Sequence, residues 1–131
     1  MFKNTFLTFA IILITIGYSD FAYAQSSITF QVNLKPQLED SVFVPGRDVA
    51  KITGNTYPLT GRGVILEDTS PKDSIYTVEV KFPGSATGKE ISYNFVLNVD
   101  EKVINESMPR SIRLRKGDFK LDALYFDSFA W

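Results

Sequence analysis

The chain has 131 residues with 14 basic and 15 acidic side chains, and it contains no cysteine and no histidine. Disulfides, thiolate nucleophiles, Ser-His-Asp triads and the usual zinc ligand sets all need one of the missing side chains, so these chemistries are excluded. A formal net charge of -1 lacks the excess of cations that a phosphate backbone requires, so nucleic acid is not an expected partner. The counts predict one small domain that is not an enzyme and needs no cofactor.

The first 24 residues have the pattern of a cleaved signal peptide. Lys3 supplies a positive charge, residues 6–16 are apolar apart from threonines, and Ala22-Tyr23-Ala24 places small residues at both positions of an A-x-A cleavage site. An uncleaved anchor is the alternative, but the apolar stretch is shorter than the roughly 20 residues that span a bilayer. We therefore expect cleavage after Ala24, a secreted or periplasmic domain over 25–131, and no membrane span in it.

Strict alternation of apolar and polar residues predicts three β-strands, because successive side chains of a strand point to opposite faces. These strands cover residues 28–34, 76–82 and 91–97. The apolar positions expected on the core face are Ile28, Phe30, Val32, Leu34, Tyr76, Val78, Val80, Phe82, Ile91, Tyr93, Phe95 and Leu97. Since residues 83–89 are rich in turn formers, we expect 75–82 and 90–98 to pair as an antiparallel hairpin.

Five weaker strands are expected from shorter apolar runs that turn residues separate. They cover 48–53, 64–67, 102–104, 111–114 and 121–126, the last preceded by a predicted turn at 116–118. The segment 35–47 forms either one helical turn or a long loop. Short strands at this spacing predict an all-β fold, a single antiparallel β-sandwich of about seven to eight strands.

A succession of short motifs runs from residue 28 to residue 110. In chain order these are ITFQV at 28–32, DVAKITGN at 48–55, PLTG at 58–61, SIYTVEV at 74–80, FPG at 82–84, ISYNFV at 91–96 and NESMPR at 105–110. Their order and spacing resemble the starch-binding type of carbohydrate-binding module, a secreted immunoglobulin-like β-sandwich. The resemblance implies a non-catalytic module that binds a polysaccharide, with a glucan as the expected class.

The positions that contact sugar in that family hold other residue types in this chain. Arg62 stands where a tryptophan usually follows the L-G-N element, and Asn94 occupies the usual lysine position of the Y-K-F strand. Asn105 stands where a second tryptophan usually precedes the glutamate, here Glu106, and the P-N-R motif is shortened to end in Arg110. The resemblance implies a ligand-binding surface near Asn94, Asn105, Glu106 and Arg110.

Two groups of aromatic residues outside the predicted core face are candidates for binding. Tyr57 lies in a predicted loop, where it either packs locally or stacks on a sugar ring. The C-terminal tail carries Tyr125, Phe129 and Trp131, which either cover an edge of the core or form a docking surface. The tail supports a second hypothesis, a protein interaction or accessory module of an exported complex.

The charged residues suggest three further interpretations. Glycoside hydrolysis needs two carboxyl groups, and the adjacent acids at 39–40, 67–68 and 100–101 are the candidates, but we expect their side chains to lie in water. None of these pairs has the spacing of a calcium loop, so no metal is expected. Glu106 and Arg110 are expected to form a surface ion pair. Arg113 and Arg115 either protect a sheet edge or bind an acidic polymer.

Overall fold

The computed structural model describes residues 25–129, which fold into two β-sheets packed around a shared core. The strands are β1 (Ser26–Asn33), β2 (Val49–Gly54), β3 (Val64–Leu66), β4 (Ile75–Phe82), β5 (Glu90–Val99), β6 (Lys102–Asn105), β7 (Arg110–Arg113), β8 (Gly117–Lys120) and β9 (Leu124–Tyr125). A short helix, α1 (Lys35–Glu39), follows β1, and a single 3-10 turn (Gly84–Ala86) follows β4. The all-β sandwich prediction is confirmed. The predicted signal peptide and Trp131 lie outside the described residues.

The two sheets differ in the direction of their strands. In the first sheet, β1 pairs antiparallel with β4, and on its other side it pairs parallel with β8 and β9. In the second sheet, β3, β2 and β5 follow one another, and β5 pairs with both β6 and β7, always antiparallel. The sandwich is therefore antiparallel except where the C-terminal strands join β1.

The core contains the alternating apolar residues that the sequence predicted, together with buried residues of other segments such as Phe43, Ile52 and Leu59. All of them are buried except Val78, which is partly buried and packs against the others. The Phe30 ring lies at the centre, with its centroid 6.4 Å from the Phe82 ring of the same sheet and 4.9 Å from the Tyr93 ring of the opposite sheet. Both pairs are edge-to-face, the arrangement that the charge distribution of aromatic rings favours. Tyr76 and Tyr93 are core residues, as expected.

The predicted hairpin between 75–82 and 90–98 is wrong. β4 pairs with β1 along its whole length, and β5 pairs with β2, so β4 and β5 belong to different sheets. Both strands have one apolar face, and lying on opposite sides of the core buries both faces. The connection 83–89 crosses from one sheet to the other instead of closing a hairpin.

The predicted strand 121–126 is also wrong in its bounds. Of the residues 121–126 only 124–125 form a strand, β9, and a separate strand, β8, begins at Gly117, inside the predicted turn. All four residues of β8 are exposed, so no alternation of burial marks them in the sequence. Between β8 and β9, Leu121 N donates to Thr29 O at 3.0 Å, and Gln31 Nε2 donates to Leu121 O at 2.7 Å. These bonds keep the non-strand segment attached to β1.

The remaining elements agree with the sequence prediction. The four other weaker strands begin and end within one residue of the expected positions. The segment 35–47 contains α1, which confirms the helical turn, and it buries Phe43 against Tyr76 at a ring separation of 5.4 Å. Within residues 25–129, no helix is both long enough and apolar enough to cross a membrane.

Candidate functional site

The structure separates the five candidate sugar-contacting residues into three places. Asn94 and Asn105 lie on the outer face of the second sheet, because Asn94 alternates with the core residues Tyr93 and Phe95, and Asn105 pairs with Val96. Glu106 and Arg110 are buried. Tyr57 lies in the loop between β2 and β3. The five residues therefore do not form one surface.

Glu106 occupies a gap in the pairing of β5. On one side of β5, the pairing with β6 ends at Val96 and the pairing with β7 ends at Tyr93. Phe95 lies between these two residues and has no strand partner on that side. The chain fills the gap with Glu106, whose backbone N donates to Phe95 O at 3.3 Å and whose Oε1 accepts from Phe95 N at 3.0 Å. The carboxylate thus replaces one step of the backbone ladder.

Arg110 closes the same contact from the other side. Its Nη2 donates to Glu106 Oε2 at 2.6 Å, and its Nε donates to Glu106 Oε1 at 2.9 Å. The hydrogen bonds and the charge of Glu106 raise the pKa of Arg110 above its ordinary value, although burial acts in the opposite direction. The ion pair predicted from the sequence is confirmed, but its position is interior rather than on the surface. The Glu106 side chain is 0% exposed and the Arg110 side chain is 8% exposed.

The C-terminal tail is tied to this ion pair. Arg110 Nη2 also donates to Tyr125 O at 3.3 Å and to Ser128 O at 3.2 Å, and Asp127 N donates to Glu106 Oε2 at 2.8 Å. The Phe129 ring lies over the guanidinium, 4.6 Å from its carbon to the ring centroid. Phe129 therefore covers the ion pair, whereas Tyr125 remains 49% exposed.

A second anchor of the tail is Asp127. Its Oδ1 accepts from Ser107 N at 2.6 Å and from Ser107 Oγ at 2.8 Å, and these hydrogen bonds lower the pKa of the Asp127 carboxyl. The loop between β6 and β7 and the tail therefore hold one another in place. The side chains of Glu106, Arg110 and Asp127 are therefore hydrogen-bonded to other residues of the chain.

The loop that carries Tyr57 is fixed at both of its ends. Asn55 N donates to Ser92 O and Ser92 N donates to Asn55 Oδ1, each at 3.0 Å, which attaches the loop to the start of β5. Gly54 N donates to Leu59 O at 3.1 Å, and the Leu59 side chain is fully buried. Tyr57 lies between these anchors and is 71% exposed, the largest exposure among the large hydrophobic side chains of the described residues.

Tyr57 borders an open groove of about 570 Å³. The loop 55–57 forms one wall, and the crossing segment between β4 and β5 forms the other. Besides Tyr57, the residues that form these walls are Asn55, Thr56, Pro83, Ser85, Ala86, Lys89 and Glu90. We call this the Tyr57 groove. Sequence reasoning missed its second wall, because residues 83–89 were interpreted as a hairpin turn.

A different cleft, of about 400 Å³, lies between the segment that follows α1 and strands β2 and β3. Its aromatic residues are Phe43 and Tyr76, which are almost fully buried and pack edge-to-face on one another. A sugar ring stacks on the exposed face of an aromatic ring. Of these two depressions, the Tyr57 groove is the one with an exposed ring.

The adjacent carboxylate pairs lie at the surface or in a loop of the described residues. Both acids of 39–40 and both of 100–101 are exposed. Asp68 accepts from Ser74 N at 3.0 Å and from Asp73 N at 3.3 Å, so it stabilises its own loop. Within residues 25–129, no group of three or more Asp, Glu, His or Cys side chains is arranged to hold a metal ion.

The fold is similar to part of a known enzyme. The chain superposes on the solved structure of Hormoconis resinae glucoamylase with a TM-score of 0.59 and 18% sequence identity, over 82% of this chain and 18% of the glucoamylase chain. This chain therefore corresponds to less than a fifth of that protein, and the likeness concerns the sandwich fold. No protein-family model matches the sequence, and the comparison with curated proteins gives no match.

Proposed function

We propose that this protein is an exported, non-catalytic module that binds a polysaccharide, with an α-glucan as the first candidate, and that the Tyr57 groove is its binding surface. Two observations favour the ligand class. The order of motifs resembles that of starch-binding modules, and the fold is similar to a part of a glucoamylase. Fold alone does not assign a ligand, so the proposal depends on the groove.

The observation that carries the proposal is the exposed ring of Tyr57. A tyrosine residue that is 71% exposed, on a loop that is hydrogen-bonded at both ends, offers a held apolar platform, and a sugar ring that stacks on it releases water at a low cost in side-chain entropy. Polar groups must then orient the sugar. The side chains of Asn55, Lys89 and Glu90 line the same groove and offer both donors and acceptors to hydroxyl groups.

The composition of the groove favours binding without hydrolysis. A glycosidase needs two carboxyl groups on either side of the scissile bond, roughly 5 to 9.5 Å apart. Among the described residues that line the groove, Glu90 is the one carboxylate. Glu90 is 61% exposed and lies 3.8 Å from the Arg113 guanidinium, so its charged neighbour at the surface is a cation and not a second carboxylate.

Binding assays with a panel of glycans test the proposal. The mature chain should bind maltoheptaose or be retained on insoluble amylose, and Tyr57→Ala should weaken binding about tenfold, which corresponds to about 1.4 kcal/mol. Tyr57→Phe, which keeps the ring, and Tyr125→Ala, which removes an exposed tyrosine elsewhere, should retain most of the affinity. Failure to bind any glycan would refute the function, and an unchanged affinity in Tyr57→Ala would refute the site.

Export is tested separately from binding. The pattern of residues 1–24 supports it, and the N-terminal residue of the protein recovered outside the cytoplasm should be Gln25. An intact N-terminus in that fraction would contradict cleavage.

A second candidate function is a protein interaction module that docks through the tail. It is favoured by the adjacent side chains of Leu124 and Tyr125, which are 47% and 49% exposed at the edge of the first sheet. If affinity capture from the native host recovers a partner that Leu124→Ser together with Tyr125→Ala no longer recovers, docking replaces glycan binding as the leading function.

A further inference from the structure

A second groove opens along one side of the sandwich, between β7 and β8. It consists of a cleft of about 320 Å³ and a neighbouring cleft of about 250 Å³, which share Ile112 and Leu121. Ile28 completes the apolar floor, and Phe119, which is 39% exposed, stands at its side. We call it the β7–β8 groove. It shares no lining residue with the Tyr57 groove.

Both strands that border this groove have a free edge. Among the described strands, β7 pairs with β5 alone and β8 pairs with β1 alone. An edge strand presents a row of unpaired N–H and C=O groups to which another strand can add. β8 is the more open of the two, because all four of its residues are exposed.

The rim of the 320 Å³ cleft is positively charged. Arg113, Arg115 and Lys120 line it without a carboxylate, whereas the neighbouring 250 Å³ cleft is lined by Arg110 and Asp122. Arg113 approaches Glu90 at 3.8 Å in an exposed pair, whereas Arg115 and Lys120 form no ion pair with any described residue. The acid on β8, Asp118, accepts a hydrogen bond from Ser27 Oγ at 2.7 Å. Three cations therefore gather beside an apolar floor in a chain whose formal net charge is -1.

We propose that the β7–β8 groove binds an extended peptide segment that alternates acidic and apolar residues, and that the peptide adds as a strand to the free edge of β8. Successive side chains of such a strand point in opposite directions. One set would cover Ile112, Leu121 and Phe119, and the other would meet Arg115 and Lys120. The added backbone would satisfy the unpaired groups of β8.

Charge and shape favour this occupant over two others. A second copy of the chain would bring its own Arg115 and Lys120 against the first pair, and like charges across an interface oppose association. An acyl chain has no backbone groups to pair with β8, and in a cleft open along its length it would leave one side in water. The same cations that repel a second basic edge attract an acidic strand, so protection of the edge and recognition of a partner use the same residues.

Fluorescence anisotropy with a labelled peptide of alternating glutamate and valine tests the proposal on the full mature chain. The peptide should bind, a lysine and valine peptide should not, and binding should weaken as salt is added. Arg115→Glu with Lys120→Glu should reduce the affinity about tenfold or more. The matched control, Lys81→Glu with Lys102→Glu, makes the same change in net charge at exposed positions outside the groove and should stay within about twofold of the parent.

Amide hydrogen exchange locates the peptide on the backbone. Residues 117–120 should gain protection in the complex, and the Tyr57→Ala variant should bind the peptide as well as the parent does, which separates this site from the glycan site. The proposal is overturned if the peptide does not bind, if both double variants lose affinity equally, if β8 gains no protection, or if sodium dodecanoate binds the groove and the peptide does not.

Discussion

The Glu106 carboxylate and the Arg110 guanidinium meet at 2.6 Å in the interior, and this ion pair joins three separate parts of the chain. It completes the pairing of β5 at Phe95, fixes the loop between β6 and β7, and receives the tail through Asp127 N. A charged pair in this position is structural. The resemblance to sugar-binding modules implied a ligand-binding role for these two residues, whereas in the structure they stabilise the fold.

Glu106→Gln should destabilise the protein strongly. The amide cannot neutralise Arg110, and removal of one partner from a buried ion pair typically costs about 3 to 5 kcal/mol because the other charge stays buried. Urea unfolding followed by tyrosine and tryptophan fluorescence measures the free energy of unfolding.

Glu90→Gln is the matched control, because it breaks the exposed pair with Arg113, whose side chains are 61% and 60% exposed. Its expected cost is at most about 1 kcal/mol. Equal losses in the two variants would contradict the structural role of the buried pair.

Asp48 should contribute stability that depends on pH. Hydrogen bonds from Arg47, together with those from Val44 N and Asp100 N, lower the pKa of Asp48 from its ordinary value of 3.8 to about 2, against the effect of burial. Because the folded state has the lower pKa, the contribution is complete above pH 3.8 and is lost as the pH falls toward 2.

Urea unfolding of Asp48→Asn and of the parent over this pH range measures that contribution. The variant should be less stable near neutral pH, and the difference should shrink steadily below pH 3.8. If the difference in the free energy of unfolding stays constant or grows on acidification, the charge of the Asp48 carboxylate does not stabilise the fold.

Two glycines of the loop between β2 and β3 should differ in their tolerance of a side chain. Gly61 and Gly63 both have a positive φ, of 72° and 74°. A Cβ on Gly61 would meet nothing within 4 Å, but a Cβ on Gly63 would lie 2.6 Å from Ile52 O. Gly61→Ala should cost about 1 to 2 kcal/mol from backbone strain alone, and Gly63→Ala should cost more because the strands must also separate. If thermal unfolding shows that Gly61→Ala lowers the stability more than Gly63→Ala does, the close approach of Gly63 to Ile52 O is contradicted.

The tail residues should separate by their effect on stability. Phe129→Ala removes the ring over the Arg110 guanidinium and should cost about 0.5 to 2 kcal/mol. Tyr125→Ala removes a ring that is half exposed and should change stability by less than about 0.5 kcal/mol. The free energies of unfolding of the two variants measure these costs. If Phe129→Ala leaves the stability unchanged, Phe129 does not stabilise the ion pair, and docking becomes the better interpretation of this residue.

Much of the fold could be predicted from the sequence, because burial on one face imposes the alternation seen at 28–34, 76–82 and 91–97. Alternation does not say which strands pair, and this is why β4 and β5 were expected as a hairpin although they lie in opposite sheets. β8 was missed for the opposite reason. With every residue exposed, its sequence carries no pattern, and its place depends on parallel pairing with β1, which is distant in the chain.

The candidate site was less predictable. The position of Tyr57 in a loop beside proline left open whether its side chain packs locally or contacts a ligand, and the groove beside it depends on the crossing segment 83–89, whose path is a property of the whole sandwich. The burial of Glu106 and Arg110 could not be inferred, because charged side chains are normally solvated and only the interrupted pairing of β5 makes an interior carboxylate favourable.

The central claim, a glycan site at Tyr57, is tested most directly by titrating the ¹⁵N-labelled mature chain with maltoheptaose. The amide signals of Asn55, Tyr57, Ser85 and Lys89 should shift in a saturable manner, while those of Asn94 and Asn105 on the outer face of the second sheet should not. Shifts confined to Asn94 and Asn105, or the absence of any saturable shift, would contradict the account.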